Sequence, residues 1–503
     1  MARPYTLTTV SPFKGLTSAI DRAGLAPNEF SQLVNFNINQ GGYLEKRRGI
    51  YRYSSVRPQP AGVQLRLMAI SRGVGAIADQ FWLTDGSKTY RVNQSATIWN
   101  TIQWAGSDLT TVPQWMIERK IGADYYAMAV VRSDNPPFFI KYDGTVIAAV
   151  GGPVGTHCAD WKSRMWTINT VGTAGAESNV DFSAPEDWQT WYPNTAAGVI
   201  AINPGDGQFC TALQVYNDSL YVFKDRSIWV INGEGEVSSF SPRLVHATIG
   251  CIGRGTVQLI DGFMYFLSGE GVYRTDGTTF EELSQPIRNE FWNQDHQSQS
   301  FVLEHDACHY DNKYILVLGT TSTIYIYDTV SETWSLWRPP TLVPLQLKGI
   351  ASYQERGPER FYAGSSSATG YLMAHGDDYY RDDTAGMSGG TSNNDVIGSA
   401  ITADFVEEVP AEWKRNHFIG FDCSGVQNLS QVALTTTKDR AISVPEATKF
   451  ITSTTNARTQ LRFPGVGRFR SMSLYLEARG NTGFKLYGIT LANEVMNPVG
   501  KHV

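Results

Sequence analysis

Residues 213–234, LQVYNDSLYVFKDRSIWVINGE, decide the fold. The stretch reads as a strand up to Tyr216, a tight polar turn at Asn217-Asp218, a second strand over 220–223, another turn, and a third strand over 228–231. Alternating apolar positions, β-branched and aromatic enrichment, and Asn/Asp turn chemistry agree on an antiparallel meander. Residues 257–278 (VQLIDGFMYFLSGEGVYRTDGT) repeat the layout with Asp261-Gly262 at the turn, and 307–334 repeat it with Asp311-Asn312. Weaker copies cover 80–92, 124–145, 158–188 and 350–376. Taking the first apolar or aromatic strand after each turn gives Leu83, Tyr126, Met165, Tyr221, Tyr265, Ile315 and Phe361 as markers. Their separations of 43, 39, 56, 44, 50 and 46 residues match the ~40–50 of a four-stranded propeller blade. One meander cannot bury both of its faces, so several must stack around an axis.

The expected fold class is all-β: an irregular β-propeller of six to eight blades with an N-terminal hairpin segment and a C-terminal β-sandwich-like domain. The boundaries read as 1–62 for the N-terminal hairpin and assembly segment, 63–380 for the propeller, 381–396 for a linker, 397–495 for the sandwich and 496–503 for a tail. In the first unit, Leu33, Val34, Phe36 and Ile38 precede a turn at Gly41-Gly42, a strand at 43–45 and the basic run Lys46-Arg47-Arg48 before Gly49. Such a run is either a partner contact or a charged edge that blocks strand-to-strand aggregation. Residues 284–292 (SQPIRNEFW) interrupt the β pattern as a short helix with Pro286 in its first turn. Six alternating strands follow the linker, at 400–405, 418–423, 431–436, 459–463, 471–476 and 484–491.

Charge is uneven. Residues 1–60 carry +5 and 396–503 carry +3, which leaves 22 basic and 36 acidic residues over 61–395, or −14. An acidic body with basic ends suits docking between neighbours or a surface that repels nucleic-acid phosphates, and a plain solvated surface explains it equally. Five cysteines, an odd number without a CxxC, point to reduced core thiols rather than a disulfide framework or zinc site. The first ten residues lack an apolar signal core and no apolar run approaches ~18 residues, so neither Sec export nor membrane insertion is expected.

Catalytic patterns are weak. His305 and His309 have helical zinc spacing but lie at the start of a strand, which would separate them by ~13 Å. Asp377, Asp378, Asp382 and Asp383 lack the ligand order of a calcium loop. The segments APEDWQTW (184–191) and DTVSETWSLW (328–337) read as blade-terminal turns with a packing Trp. No GxSxG, HExxH, P-loop or GxGxxG pattern appears in a strand-helix context. Arg468 and Arg470 alternate on a strand and share a face, suited to a partner carboxylate, a phosphate, or simply solvent. No catalytic residue, cofactor or metal is expected.

Several stretches together resemble one family. Asn35 followed by GGYLEKRRGI, with Gly42, Lys46, Arg47, Arg48 and Gly49 inside it, is similar to the opening of the tail nozzle proteins of short-tailed bacteriophages, also called packaged-DNA stabilisation proteins. The strand pair of 220–235, the meander of 306–334, and GVGRFRSMSLYLEARGNTGFKLYGITL near the C-terminus resemble that family in order and spacing. The resemblance implies a structural virion protein of the podovirus tail hub, assembled in the host cytoplasm and without enzymatic activity. Six copies would form a ring below the portal and its head-to-tail adaptor. The ring would pass double-stranded DNA without sequence specificity, retain packaged DNA, and attach a tailspike, fibre or tail needle. Asn35, Gly42, Lys46, Arg47, Arg48, Gly49, Arg468 and Arg470 are the expected interface, and reversing the charge of 46–48 is expected to abolish assembly while sparing the fold. The rival readings are a carbohydrate-binding or depolymerising propeller and a kelch-like scaffold.

Overall fold

A computed structural model describes residues 5–53, 64–71, 79–85, 88–93, 99–101, 103–104, 107–108, 113–121, 124–131, 136–141, 145–148, 152–169, 178–292, 305–319, 321–339, 347–354, 359–365, 371–376, 380–383, 393–405, 413–425, 430–440, 442–451, 458–480 and 482–496. Among them are six antiparallel four-stranded sheets and a nine-stranded sheet whose first four strands, Asp306–Tyr310 to Thr333–Trp337, form a seventh copy of the same meander, each ordered from an inner to an outer strand. Neighbouring inner strands adjoin around an axis, and the last copy along the chain adjoins the first, so the ring is closed. This is a seven-bladed propeller.

The seven markers read from the sequence all fall on the second strand of a blade, from Gln80–Thr84 in blade one to Glu359–Ser365 in blade seven. Blade four shows why that strand is so apolar. Its strand Ser219–Lys224 sends Leu220 and Val222 against Trp166, Ile168 and Val180 of blade three. Tyr221 and Phe223 face the other way, against Met264 and Phe266 of blade five. A period-2 strand between two neighbours is buried on both sides, and each such side chain contributes ~1.5–3 kcal/mol. The hairpin turns hold Asn217-Asp218, Asp261-Gly262 and Asp311-Asn312 at positive φ, the backbone that matches strand twist in two-residue turns.

The N-terminal segment, expected as a unit over 1–62, is shared between two bodies. Ile50–Arg52 is the outermost strand of blade seven, with Ile50 opposite His375 and Arg52 opposite Met373. The start of the chain therefore completes the last blade. The strands before it join the sandwich. One sandwich sheet runs Phe36–Ile38, Leu44–Lys46, Phe484–Val495, Lys414–Gly425, Thr459–Phe469, with Thr6–Val10 beside the far half of Phe484–Val495. The expected hairpin at Gly41-Gly42 is present, pairing Phe36 with Lys46. An isolated two-stranded hairpin has too little buried face to stand alone, so it is absorbed as the sheet's edge.

The second sandwich sheet grows out of blade six. The outer strand Thr333–Trp337 lies parallel to Phe30–Val34, and Gly398–Thr402, Met472–Arg479, Gln431–Lys438 and Ile442–Phe450 continue it. Propeller and sandwich are thus one continuous β structure. Gln285–Ile287 and Arg288–Trp292 form the short helical insert, although Ser284 does not cap it; its Oγ accepts from Val272 N at 3.0 Å. Residues 54–63, and 384–392 of the expected 381–396 linker, lie outside the described residues; at the linker's two ends Arg381–Asp383 and Asn393–Asp395 pair as antiparallel strands. Within the described residues no helix is long and apolar enough to cross a membrane.

Candidate functional site

The expected N-terminal contact is an internal joint. Asn35 stands where the chain leaves one sandwich sheet, at Val34, and enters the other, at Phe36. It is buried with φ +58°, a conformation Asn tolerates better than most residues. Its Nδ2 donates to the carbonyls of Arg338 (3.0 Å) and Ile397 (2.9 Å), and its Oδ1 accepts from Arg338 N (2.8 Å) and Arg47 Nε (2.7 Å). One side chain ties blade six, the second sheet and the basic run together.

Arg47 is 1% exposed. Its guanidinium makes a two-pronged pair with Asp382, at 2.8 and 2.6 Å, and also donates to Arg48 O at 2.9 Å. Asp382 accepts a further bond from Ile50 N at 2.9 Å. Each nitrogen of the Arg47 guanidinium is therefore engaged, the condition under which a buried ion pair is tolerated. Lys46, equally buried, donates to Gly480 O at 2.6 Å and lies over the Tyr380 ring. Burial pushes its ammonium down to about 8, against a smaller opposing pull from Asp395. Half-buried Arg48 donates to Gly376 O at 2.8 Å. At Gly49 a Cβ would sit 1.8 Å from Arg381 O, and at Gly42, with φ +71°, 2.2 Å from Pro12 Cβ.

This placement corrects two expectations. Asn35, Lys46, Arg47 and Gly49 are inside the chain, so they present no surface to a partner. Charge reversal of 46–48 would put carboxylates beside Asp382 in a dry joint, and the fold would not survive it intact. Asp382, read from sequence as linker, is the partner that makes the run burial-competent; a carboxylate-rich linker in a chain with an uncompensated Lys-Arg-Arg run was the available signal.

A cleft of about 420 Å³ opens beside the joint, between the hairpin and blades six and seven, lined among others by Asn39, Gln40, Arg48, Asp311, Lys313 and Glu359. His375 forms part of its wall, stacked against both Trp337 and Phe361 with centroids 4.7 and 4.9 Å away. Burial first, then Arg47, Arg48 and Lys313, hold that imidazole neutral, well below its usual range.

The propeller's hub is crossed by side chains. Arg254, from the loop entering blade five, donates to Thr156 O of blade three (2.7 Å) and Gln114 Oε1 of blade two (2.8 Å). Arg66 of blade one pairs with Asp306 of blade six at 2.8 Å, and Gly349 N of blade seven donates to the same carboxylate at 3.1 Å. Buried Arg254 and half-buried Arg66 were both missed in the sequence, where neither has a distinguishing neighbour. A cavity of about 260 Å³ remains above Arg66 and Asp306.

Of the expected C-terminal pair, Arg468 and Arg470 are both exposed, with buried Phe469 between them, so they do share a face. The five thiols are free and buried, Cys158, Cys210 and Cys308 on inner blade strands. His305 is committed to Gly319 N at 3.1 Å. Among the described residues no three His, Cys, Asp or Glu side chains converge as a metal site.

No family model and no curated protein matches the chain. Solved structures similar to it include YCF48 bound to D1 peptide, with 12% identity and TM-score 0.40 over 66% of this chain and 96% of that one. The β-propeller domain of Cps50 (Swd1) from Myceliophteria thermophila matches at 6% identity and TM-score 0.40, over 65% and 100%. The Pan2 WD40 domain of Neurospora crassa matches at 8% identity and TM-score 0.38, over 66% and 96%. At that level of superposition none of these bears on activity, and the propeller assignment rests on the strand pairing itself.

Proposed function

We propose that the chain is a structural subunit of a phage tail nozzle: a ring, six copies in number, below the portal and its head-to-tail adaptor. The ring extends the DNA exit path, retains packaged DNA, and offers attachment for a spike, fibre or plug. It performs no chemistry of its own and belongs to the virion.

One observation carries this reading. Three of the four stretches that resemble the nozzle family meet where the propeller joins the sandwich; the 220–235 strand pair, in blade four, does not. Asn35 reaches Arg338 beside the 306–334 meander. Lys46 reaches Gly480, and Leu44 and Glu45 pair with Leu486 and Lys485, inside the C-terminal stretch. Residues shared with a family would be expected at such a joint when the family's function is mechanical, because a rigid two-body subunit transmits load without chemistry. The test is electron microscopy of the purified chain, alone and mixed with portal–adaptor particles. Sixfold rings, free or capping the adaptor, support the reading. Monomers that never bind the particle overturn it and send the protein to polysaccharide binding and cleavage assays.

A further inference from the structure

We propose that the outer face of the first sandwich sheet, centred on Arg415 and Arg468, is the surface by which one copy of this chain binds the acidic propeller of a second copy. This deepens the ring reading and rests on it for the number of copies, not for the contact itself.

The face is defined by strand alternation. In Thr459–Phe469, Leu461, Phe463 and Phe469 point into the sandwich while Arg462, Pro464 and Arg468 point out. In the neighbouring Lys414–Gly425, Lys414 and Asn416 are buried while Arg415 and His417 are exposed. Register places Arg415 directly opposite Arg468. Two like charges across an antiparallel pair are unfavourable in an isolated sheet, and folding gains nothing from them. The carboxylates of the face are already engaged: Glu494, beside Arg415, lies 3.1 Å from His417 Nε2, and Asp422 pairs with Arg458.

Apolar surface is interleaved with this charge. Trp413 is 44% exposed and lies under the Arg470 guanidinium, whose carbon is 4.8 Å from the ring centre. Arg462 covers Phe418 at 4.8 Å, and Tyr5 packs on His417 and Phe418 while remaining 48% exposed. Leu7, opposite Ala492 on the adjoining strand, is 57% exposed. Arginine with Trp and Tyr is the composition of protein interface centres, from which lysine is depleted. Lys414, the sole lysine in the sequence of these two strands, points inward. Guanidinium groups held over aromatic rings, as Arg462 and Arg470 are, are preorganised to take carboxylates.

The occupant follows from charge. Residues 61–395 of the same polypeptide carry a net −14, so each copy brings both the basic face and an acidic body to meet it. A contact of one patch with a different patch on the next copy is the kind that closes into rings.

The test is sedimentation velocity of the full chain at 50 and 500 mM NaCl, with electron microscopy of the same samples. Wild type, Arg415→Glu/Arg468→Glu, the milder Arg415→Gln/Arg468→Gln, and a control at exposed propeller Arg226→Glu would be compared, with thermal melts as the folding check. The inference expects wild type to associate at low salt and to weaken at least tenfold at high salt. It expects both double variants to fold and to lose association at least tenfold, and the control to keep it. Assemblies of other symmetry that dissolve in the variants support this face and overturn the sixfold reading. Sixfold rings that survive both double variants overturn the face and leave the ring. A wild type that stays monomeric, including one that captures duplex DNA through these arginines, overturns the inference. A glutamate variant that fails to fold is decided by the glutamine pair.

Discussion

Replacing Arg47 by Met tests the joint directly. The substitution keeps most of the side chain's length and its contact with Trp337, whose ring centre lies 5.8 Å from the guanidinium carbon. It removes both bonds to Asp382 and the bond to Asn35 Oδ1, and leaves a carboxylate that is 0% exposed facing an apolar stub. Breaking one side of a buried pair costs about 3–5 kcal/mol. An unfolding entropy of about 2.1 cal/mol/K per residue over 503 residues amounts to roughly 1 kcal/mol/K for a single cooperative transition. The melting temperature should therefore fall by about 3–5 °C. Arg47→Met/Asp382→Leu, which removes both charges, should regain most of that loss, to within about 1 °C of wild type. Differential scanning calorimetry of the three proteins decides the matter. A single variant that melts within about 1 °C of wild type would refute the buried pair as a structural tie. Equal losses in the single and double variants would mean that shape, not charge, is what the joint requires.

Three further outcomes follow from neighbouring groups. Asn35→Ala forfeits four side-chain hydrogen bonds at a left-handed position and should cost about 2–4 kcal/mol in urea unfolding, of which Asn35→Gly recovers about 1 by relieving the backbone; equal losses would remove the backbone from the explanation. Lys46 titrates near 8 in the folded chain against ~10.4 unfolded, so between those values the unfolded state holds the extra proton. Wild-type stability should then rise with pH from about 8 to about 10.5 relative to Lys46→Met, by about 3 kcal/mol, and parallel pH profiles for the two proteins would sink the argument. Burial raises the thiols of Cys158, Cys251 and Cys423, the last two to about 11 and about 12. Ellman's reagent at pH 8 should find no fast thiol in the native chain and all five in urea; one rapidly reacting equivalent before denaturation would contradict the burial.

Much of the propeller was legible because its signal is local. A meander needs a tight turn at positive φ and alternating apolar residues within about twenty positions; blades four, five and six turn on Asn, Asp or Gly at positive φ, and blade three on Lys162-Ser163. What escaped was non-local or atypical. Ile442–Phe450 was missed since Pro445 breaks its alternation; it is an edge strand, where proline is tolerated. Ile50–Arg52 is three residues long, and its place in blade seven depends on partners more than 320 positions away. The basic run misled for the same reason. Three consecutive cations default to solvent unless something pays their desolvation, and for Arg47 that partner, Asp382, lies 335 positions along the chain. Arg468 and Arg470 were readable because exposure on an alternating strand needs no distant partner.

The hub limits how such a subunit can serve a conduit. Arg254 spans from blade five to blades two and three, and the Arg66–Asp306 pair, joined by Gly349, spans blades one, six and seven. These chords lie where a propeller's central opening would be. Passing a duplex there would require breaking the part-buried Arg66–Asp306 pair and the Arg254 hydrogen bonds that tie the blades together. In the proposed ring, then, no DNA threads a propeller. Under that proposal the exit path would run on the assembly's own axis, between propellers that carry a net −14 per copy over 61–395. A wall of that sign repels phosphates and so lets a duplex slide instead of binding it. The same proposal requires the arginines of the sandwich to be turned away from the axis, with the proposed contact between copies neutralising their charge.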